Sequence, residues 1–230
     1  MTQRVAMVSG ANRGIGLAIA RELARRGFAL SLGVRTPAKL APDLARDALV
    51  HRYDAAEPKA GDEWVAATLA RFGRLDVVVN NAGIAKQVTL EKGTDAQLDD
   101  LLEINVKAPF RVLRAALPHL KKAGSGRVIN LASLSGKRVL GLNAGYQMSK
   151  HAVIALTHAA RRAGWDEGVR ACAVCPSFVR TDMGSGNPGV DDSLITDPED
   201  VARLVGTIVE LPNSASVAEL IVNWRWEHSV

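Results

Sequence analysis

The chain has 230 residues, 47% of them hydrophobic and 23% charged, which supports one large core and excludes a disordered or fibrous chain. Aromatics make up only 4%, so the core must be built from Ala, Val, Leu and Ile, the residues that fill parallel sheets covered by helices. The formal net charge of +5 comes without a helix-turn-helix, zinc or RNA-binding signature, which argues against a nucleic-acid partner.

Short apolar runs alternate with longer helical stretches along the chain. Strand Val5–Val8 is followed by helix Ile15–Arg26, strand Ala29–Val34, a short helix near Ala41, strand Leu49–Tyr53, helix Asp62–Phe72 and strand Asp76–Val79. The second half continues with a helix near Ala96–Ile104, another at Pro109–Lys122, strand Arg127–Leu131, helix Tyr146–Ala163, strand Ala171–Val174, helix Pro198–Leu211 and strand Val217–Ile221. This rhythm predicts an α/β fold: a doubly wound, mostly parallel seven-stranded sheet with helices on both faces, in one domain spanning 1–230. The cationic clusters Arg21/Arg25/Arg26 and Arg161/Arg162 fall near predicted helix ends, where they favour the dipole and are expected to be solvated. Cys172 and Cys175 lie in an extended apolar run; three apart on a strand, they point to opposite faces and are read as buried packing residues rather than a redox or metal pair. No apolar run approaches the ~18 residues of a membrane span. Met1-Thr2-Gln3-Arg4 runs straight into the first strand and leaves no room for a signal peptide, so a soluble cytoplasmic protein is expected.

In doubly wound sheets, ligands bind at the carboxyl ends of the strands, so the loops after strands are the informative places. After the first strand stands Ser9-Gly10-Ala11-Asn12-Arg13-Gly14-Ile15-Gly16, opening directly into an amphipathic helix. Glycines there let the backbone approach a pyrophosphate, and the helix start supplies aligned N–H donors and a favourable dipole. The spacing is GxxxGxG rather than the general GxGxxG fingerprint.

That spacing resembles the short-chain dehydrogenase/reductase family, and further motifs of the family follow in order: Asn80-Asn81-Ala82-Gly83 after the fourth strand, Asn105 in Ile-Asn-Val, Ser133 after the fifth strand, and Tyr146-Gln-Met-Ser-Lys150 opening a long helix. The resemblance covers essentially the whole chain and implies a Rossmann-like fold and hydride transfer between a nicotinamide dinucleotide and a carbonyl or alcohol carbon. Residues four apart share one face of a helix, so Lys150 can hold its ammonium near the Tyr146 phenol. A free Tyr titrates near ~10, and bringing it towards ~7 needs about 4 kcal/mol of preferential stabilisation of the phenolate, which Lys150 and the oxidised nicotinamide together can supply. Tyr146 is then the general acid/base. The resemblance assigns Ser133, rather than the neighbouring Ser135, to the substrate oxygen, and gives Asn105 a water that links Lys150 to solvent; on the residues alone Asn105 is equally a helix-bending polar residue.

The same resemblance makes Gly10, Asn12, Arg13, Gly14, Ile15 and Gly16 cofactor contacts, with Asn80, Ala82 and Gly83 beyond them and Tyr146 and Lys150 on the nicotinamide ribose side. Asp54, with Ala55, matches a carboxylate that meets the adenine amino group, although a strand-end aspartate capping a turn is a fair rival. Where the family usually has Pro-Gly-x-Val-x-Thr, this chain has Pro176-Ser177-Phe178-Val179-Arg180-Thr181. Pro176, Val179 and Thr181 keep the match, while Ser177 replaces the glycine. The second strand ends Gly33-Val34-Arg35-Thr36 with no acid from Ala29 to Leu40, so nothing is placed to accept from a ribose 2′-hydroxyl. Arg13 and Arg35 occupy the positions that mark NADP preference in the family, and NADP(H) is the expected cofactor, with Lys39 a weaker third contact.

The segment Asp182–Asp197 is short, polar and glycine-containing, as expected of a mobile substrate lid over an open pocket, and Leu134, Val139, Leu140, Leu142 and Phe178 are candidate apolar walls. A small or medium, largely apolar ketone, aldehyde or 3-oxoacyl compound is therefore the expected substrate. The five histidines, including His151, His158 and His228, show no metal-ligand spacing, and no metal is expected. Ala152, Val153, Leu156 and Ala159 cannot all face one sheet, and the tail Val222–Val230 carries two tryptophans, so a homodimer or homotetramer is expected. The rival reading is a dinucleotide-sensing regulatory or interaction protein that has lost catalysis; the presence of Asn105, Ser133, Tyr146 and Lys150 together favours the enzyme.

Overall fold

The structure, a computed structural model, describes residues 3–185 and 190–227. Seven strands form one sheet: β1 (Val5–Ser9), β2 (Ala29–Val34), β3 (Leu49–Arg52), β4 (Val77–Asn80), β5 (Arg127–Leu131), β6 (Arg170–Pro176) and β7 (Glu219–Val222). Their order across the sheet is β3-β2-β1-β4-β5-β6-β7. All six neighbouring pairs are parallel, with Val8 opposite both Leu32 and Val79. The sheet is thus wholly parallel, and β1, β4 and β5 are buried along their full length, as continuous apolar strands must be when helices cover both faces.

On one face lie α1 (Gly14–Arg25), the short α2 (Pro42–Ala45) and α7 (Pro198–Glu210), sharing a core of Ile19, Leu23, Leu32, Val205 and Val209. On the other lie α3 (Ala60–Phe72), α5 (Ala108–Lys122) and α6 (Ala144–Gly164), around Trp64, Val65, Val112, Leu120 and Val128. Cys172 belongs to the first core, whereas Cys175 packs beside Val153 and Ile154 of α6 on the opposite face. Both are free, and burial pushes their thiols up, to about 12 and about 11. The chain reverses direction across the sheet between β1 and β4, which places a crevice at their carboxyl ends.

Two features depart from the sequence expectation. The stretch before α5 is not a separate helix end: α4 (Asp95–Leu102) passes through a π-helical turn, Glu103–Lys107, straight into α5. Pro109 sits in the first turn of α5, where its missing N–H costs no helical bond. The arginines near the α1 end are paired rather than simply solvated: Arg25 and Arg26 grip Glu22, at 2.8 and 2.7 Å, Arg26 also holds Glu210 of α7, and Arg21 pairs with Asp43. No helix among the described residues is long and apolar enough to cross a membrane.

Candidate active site

The glycine turn owes its shape to two positions. Gly10 has φ 65°, a left-handed backbone in which a side chain is strained. At Gly16 a Cβ would overlap the Gly10 carbonyl oxygen and the Asn81 amide. The turn is therefore pulled tight against the end of β4 and presents the first-turn amides of α1, which have no partners within the helix. Asn12 and Ile15 are half-buried in this turn. Such a cradle suits a pyrophosphate.

What fastens the cradle is Ser9, which sequence reasoning did not single out. Its Oγ accepts from the Asn81 and Ala82 amides at 2.9 and 3.0 Å, and the Asn81 side-chain amide donates to the Ser9 and Gly10 carbonyls at 3.0 and 3.3 Å. Asn81 and Ala82 thus clamp the end of β4 onto the glycine turn. Asn80 points elsewhere: its Nδ2 donates to Asn130 Oδ1 at 2.8 Å, and Asn130 in turn donates to Thr157 of α6 at 2.8 Å. A serine beside the first glycine was the one sequence signal for Ser9; nothing local marked Asn130.

Tyr146 lies in the first turn of α6, where Asn143 Oδ1 caps the helix by accepting from the Tyr146 amide and, at 3.0 Å, from the Val88 amide of the loop after β4. One turn on, Lys150 is 8% exposed, with Nζ 5.6 Å from the Tyr146 ring centroid and 2.8 Å from the Leu131 carbonyl at the end of β5. Burial lowers the Lys150 ammonium to about 8. Burial also raises the Tyr146 phenol above its ordinary value, opposed by the Ser133 hydroxyl bonded to it. The phenol thus holds its proton more firmly than a free tyrosine does, opposite to the lowering expected from Lys150, and a proton-bearing phenol is the form a general acid requires. Ser133 stands where β5 ends, its Oγ also accepting from the Ser135 amide at 3.1 Å, so Ser135 supports Ser133 through its backbone.

Asn105 sits in the π turn and is 2% exposed. Its Oδ1 accepts from the Ile84 amide at 2.9 Å, and its Nδ2 donates to the Ile84 carbonyl at 3.0 Å and to Ser149 Oγ at 3.1 Å. It is thus a brace between the loop after Gly83 and α6, carried on the π turn. Gly83 permits this approach, since a Cβ there would stand 3.2 Å from Asn105 Oδ1 and 3.8 Å from Lys150 Nζ.

At the adenine end, Asp54 Oδ1 accepts from the Ala56 amide at 3.1 Å, so it does cap a turn, with Ala55 inside that turn. Arg35 is exposed at the end of β2, and Arg13 pairs with Asp182 at 2.6 Å. Ser177 replaces glycine without strain: no non-glycine residue among those described has a positive φ, and the Ser177 amide donates to the Val222 carbonyl at 2.8 Å, extending the β6–β7 pairing past Pro176. Val179 is buried and bridges to Thr196, which closes the base of the 182–195 segment, while the Thr181 methyl lies against Gly14. Residues 186–189 of the expected lid, like His228 and the last residues of the tail, lie outside the described residues. Of the expected walls, Leu134 turns inward into the protein, whereas Val139, Leu140 and Leu142 are 69, 64 and 78% exposed. Phe178 meets Trp224 edge-on, with centroids 6.3 Å apart. His151 bonds the Gln147 carbonyl and His158 bonds Glu219. No group of three or more His, Cys, Asp or Glu that could hold a metal ion occurs among the described residues.

A family model described as short chain dehydrogenase matches residues 4–188. The chain is 41% identical over 217 residues to an agropine synthesis reductase of Rhizobium rhizogenes, a match that covers 93% of this chain and spans half the length of that relative. Among solved structures, the alcohol dehydrogenase of Thermococcus sibiricus complexed with 5-hydroxy-NADP superposes with a TM-score of 0.87 at 32% identity, covering 96% of each chain. A 3-ketoacyl-(acyl-carrier-protein) reductase of Brucella melitensis, complexed with NADH, shares the fold with a TM-score of 0.89 at 24% identity, over 97% of this chain and 98% of that one.

Proposed function

The chain belongs to the short chain dehydrogenase family, and from that premise we propose that it is an NADPH-dependent carbonyl reductase or alcohol dehydrogenase for a small or medium, largely apolar ketone, aldehyde or 3-oxoacyl compound. The observation that carries this reading is the meeting of Tyr146, Lys150, Ser133 and Asn105 at the carboxyl ends of β4 and β5, beside a glycine turn shaped for a pyrophosphate. When bound, the dinucleotide supplies the hydride to the carbonyl carbon, or takes it from the alcohol carbon in the reverse direction. Tyr146 would give its phenolic proton to the carbonyl oxygen, Ser133 would donate to that oxygen as charge develops on it, and Lys150 would hold the nicotinamide ribose and stabilise the phenolate left on Tyr146 by its charge until a proton returns from solvent. Gly10, Asn12, Gly14, Ile15, Gly16, Ala82 and Gly83 line the dinucleotide, Asp54 and Ala55 border the adenine, and Pro176, Val179 and Thr181 border the nicotinamide. Arg13 and Arg35 take the 2′-phosphate. The apolar substrate is supported by the exposed Val139, Leu140 and Leu142. The sensor alternative is disfavoured because it has no use for a buried lysine beside a tyrosine and a serine.

The test is turnover with a panel of ketones, aldehydes and quinones, using NADPH and NADH in turn. Tyr146→Phe is expected to fall below a few per cent of wild-type kcat while binding NADPH nearly as well. A variant with substantial kcat overturns the role of Tyr146, and a wild type that uses NADH as well as NADPH overturns the cofactor preference.

A further inference from the structure

Arg13 is the residue before α1, with extended backbone at φ −161° and ψ 168°, and its guanidinium is committed to the Asp182 carboxylate at 2.6 Å. The two come from distant parts of the chain that the backbone has already joined. Asp182 follows Thr181, and a Cβ built on Gly14 would stand 3.0 Å from the Thr181 methyl. Arg35, the other cation proposed for the 2′-phosphate, is exposed and carries no ion pair among the described residues. The two arginines therefore differ: one is free to meet an anion, and the other already has one.

We infer that Asp182 is a specificity-determining residue, an internal carboxylate that competes with the 2′-phosphate of NADPH for Arg13. The inference rests on the reading of Arg13 and Arg35 given above. A guanidinium offers its fork to one carboxylate or one phosphate face at a time, so a phosphorylated dinucleotide must exchange the Asp182 pair for its own. NADH has no 2′-phosphate and leaves the pair in place. Asp182 thus subtracts from the affinity for NADPH alone, and Arg35 carries the larger share of the discrimination. The side chains of Arg13 and Asp182 are 68 and 75% exposed, so the competition is screened and its size is that of a surface pair, roughly two- to fivefold in affinity.

Dissociation constants for NADPH and NADH, measured by calorimetry on wild type, Asp182→Asn, Arg13→Ala, Arg35→Ala and the Arg13→Ala/Asp182→Asn double variant, test this without any substrate. Asp182→Asn is expected to tighten NADPH about two- to fivefold at low salt and less at high salt, to leave NADH unchanged, and to bring no gain in the Arg13→Ala background. NADPH affinity that does not rise, a rise shared by NADH, or a rise that persists without Arg13 would each overturn the competition while leaving the phosphate assignment standing. If instead Arg13→Ala and Arg35→Ala both bind NADPH as wild type does, the phosphate assignment fails and this proposal fails with it.

Discussion

Lys150 is held at the end of β5 by a single carbonyl, in surroundings that bring its ammonium from 10.5 down to about 8. Below that value the amine is charged and can orient the ribose and support Tyr146. The rate of carbonyl reduction is therefore expected to fall as pH rises through about 8, read as the alkaline limb of kcat/KM, and Lys150→Arg should carry that limb to higher pH in whatever activity it retains. Stability runs the opposite way. Between about 8 and 10.5 the unfolded lysine keeps a proton that the folded one has lost, so this residue makes the protein more stable as pH rises across that window. The sequence made Tyr146, Lys150 and Ser133 legible because a four-residue helical spacing and a strand-end serine are local patterns. Ser9 and Asn81 were not legible in their roles, since they are 72 residues apart and only the parallel pairing of β1 with β4 brings them together.

Between elements, the chain of amides and hydroxyls from Asn80 through Asn130 to Thr157 ties β4, β5 and α6 together inside the core. Each member is buried, so removing the central one strands a donor on one side and an acceptor on the other. Asn130→Leu is expected to lower unfolding stability by about 2–4 kcal/mol, the cost of one or two unsatisfied buried groups; urea denaturation should show a lower midpoint at unchanged slope. The site itself tests whether the relay positions α6: Tyr146 and Lys150 ride on that helix, so kcat should fall along with stability. Strands β2 and β5 begin and end where alternation of apolar runs and turns puts them, because each is a continuous buried run between clear turn residues. The α4–α5 boundary was not readable, since a π turn keeps the helical pattern of side chains while changing its count.

For the molecule as a whole, α6 is the informative surface. Of the four residues expected to split between core and partner, Val153 is buried in the protein's own core and Leu156 packs against it, whereas Ala159 is exposed and Ala152 half-buried. Met148 and Ala155 continue that outward line, and Phe110 of α5 is half exposed. Small residues with Met148 along the outer face of α6, and Phe110 on α5, suit close packing against a second copy. Light scattering at micromolar concentration is expected to give a multiple of the 24.5 kDa chain mass, and Ala159→Glu should shift it towards that mass; wild type at the single-chain mass would sink the prediction. The π turn at Glu103–Lys107 has a different kind of consequence, for how the length of the chain bears on the site. A π turn holds one residue more than an α turn, so deleting one here would let the helix close into regular α geometry with Val112, Leu113, Ala116 and Leu120 of α5 still facing the core, while Asn105 would lose the bulge that carries its side chain to Ile84 and Ser149. A single deletion between Leu102 and Ala108 should therefore cost turnover more than unfolding stability, because the count of residues there carries Asn105 to the loop after Gly83.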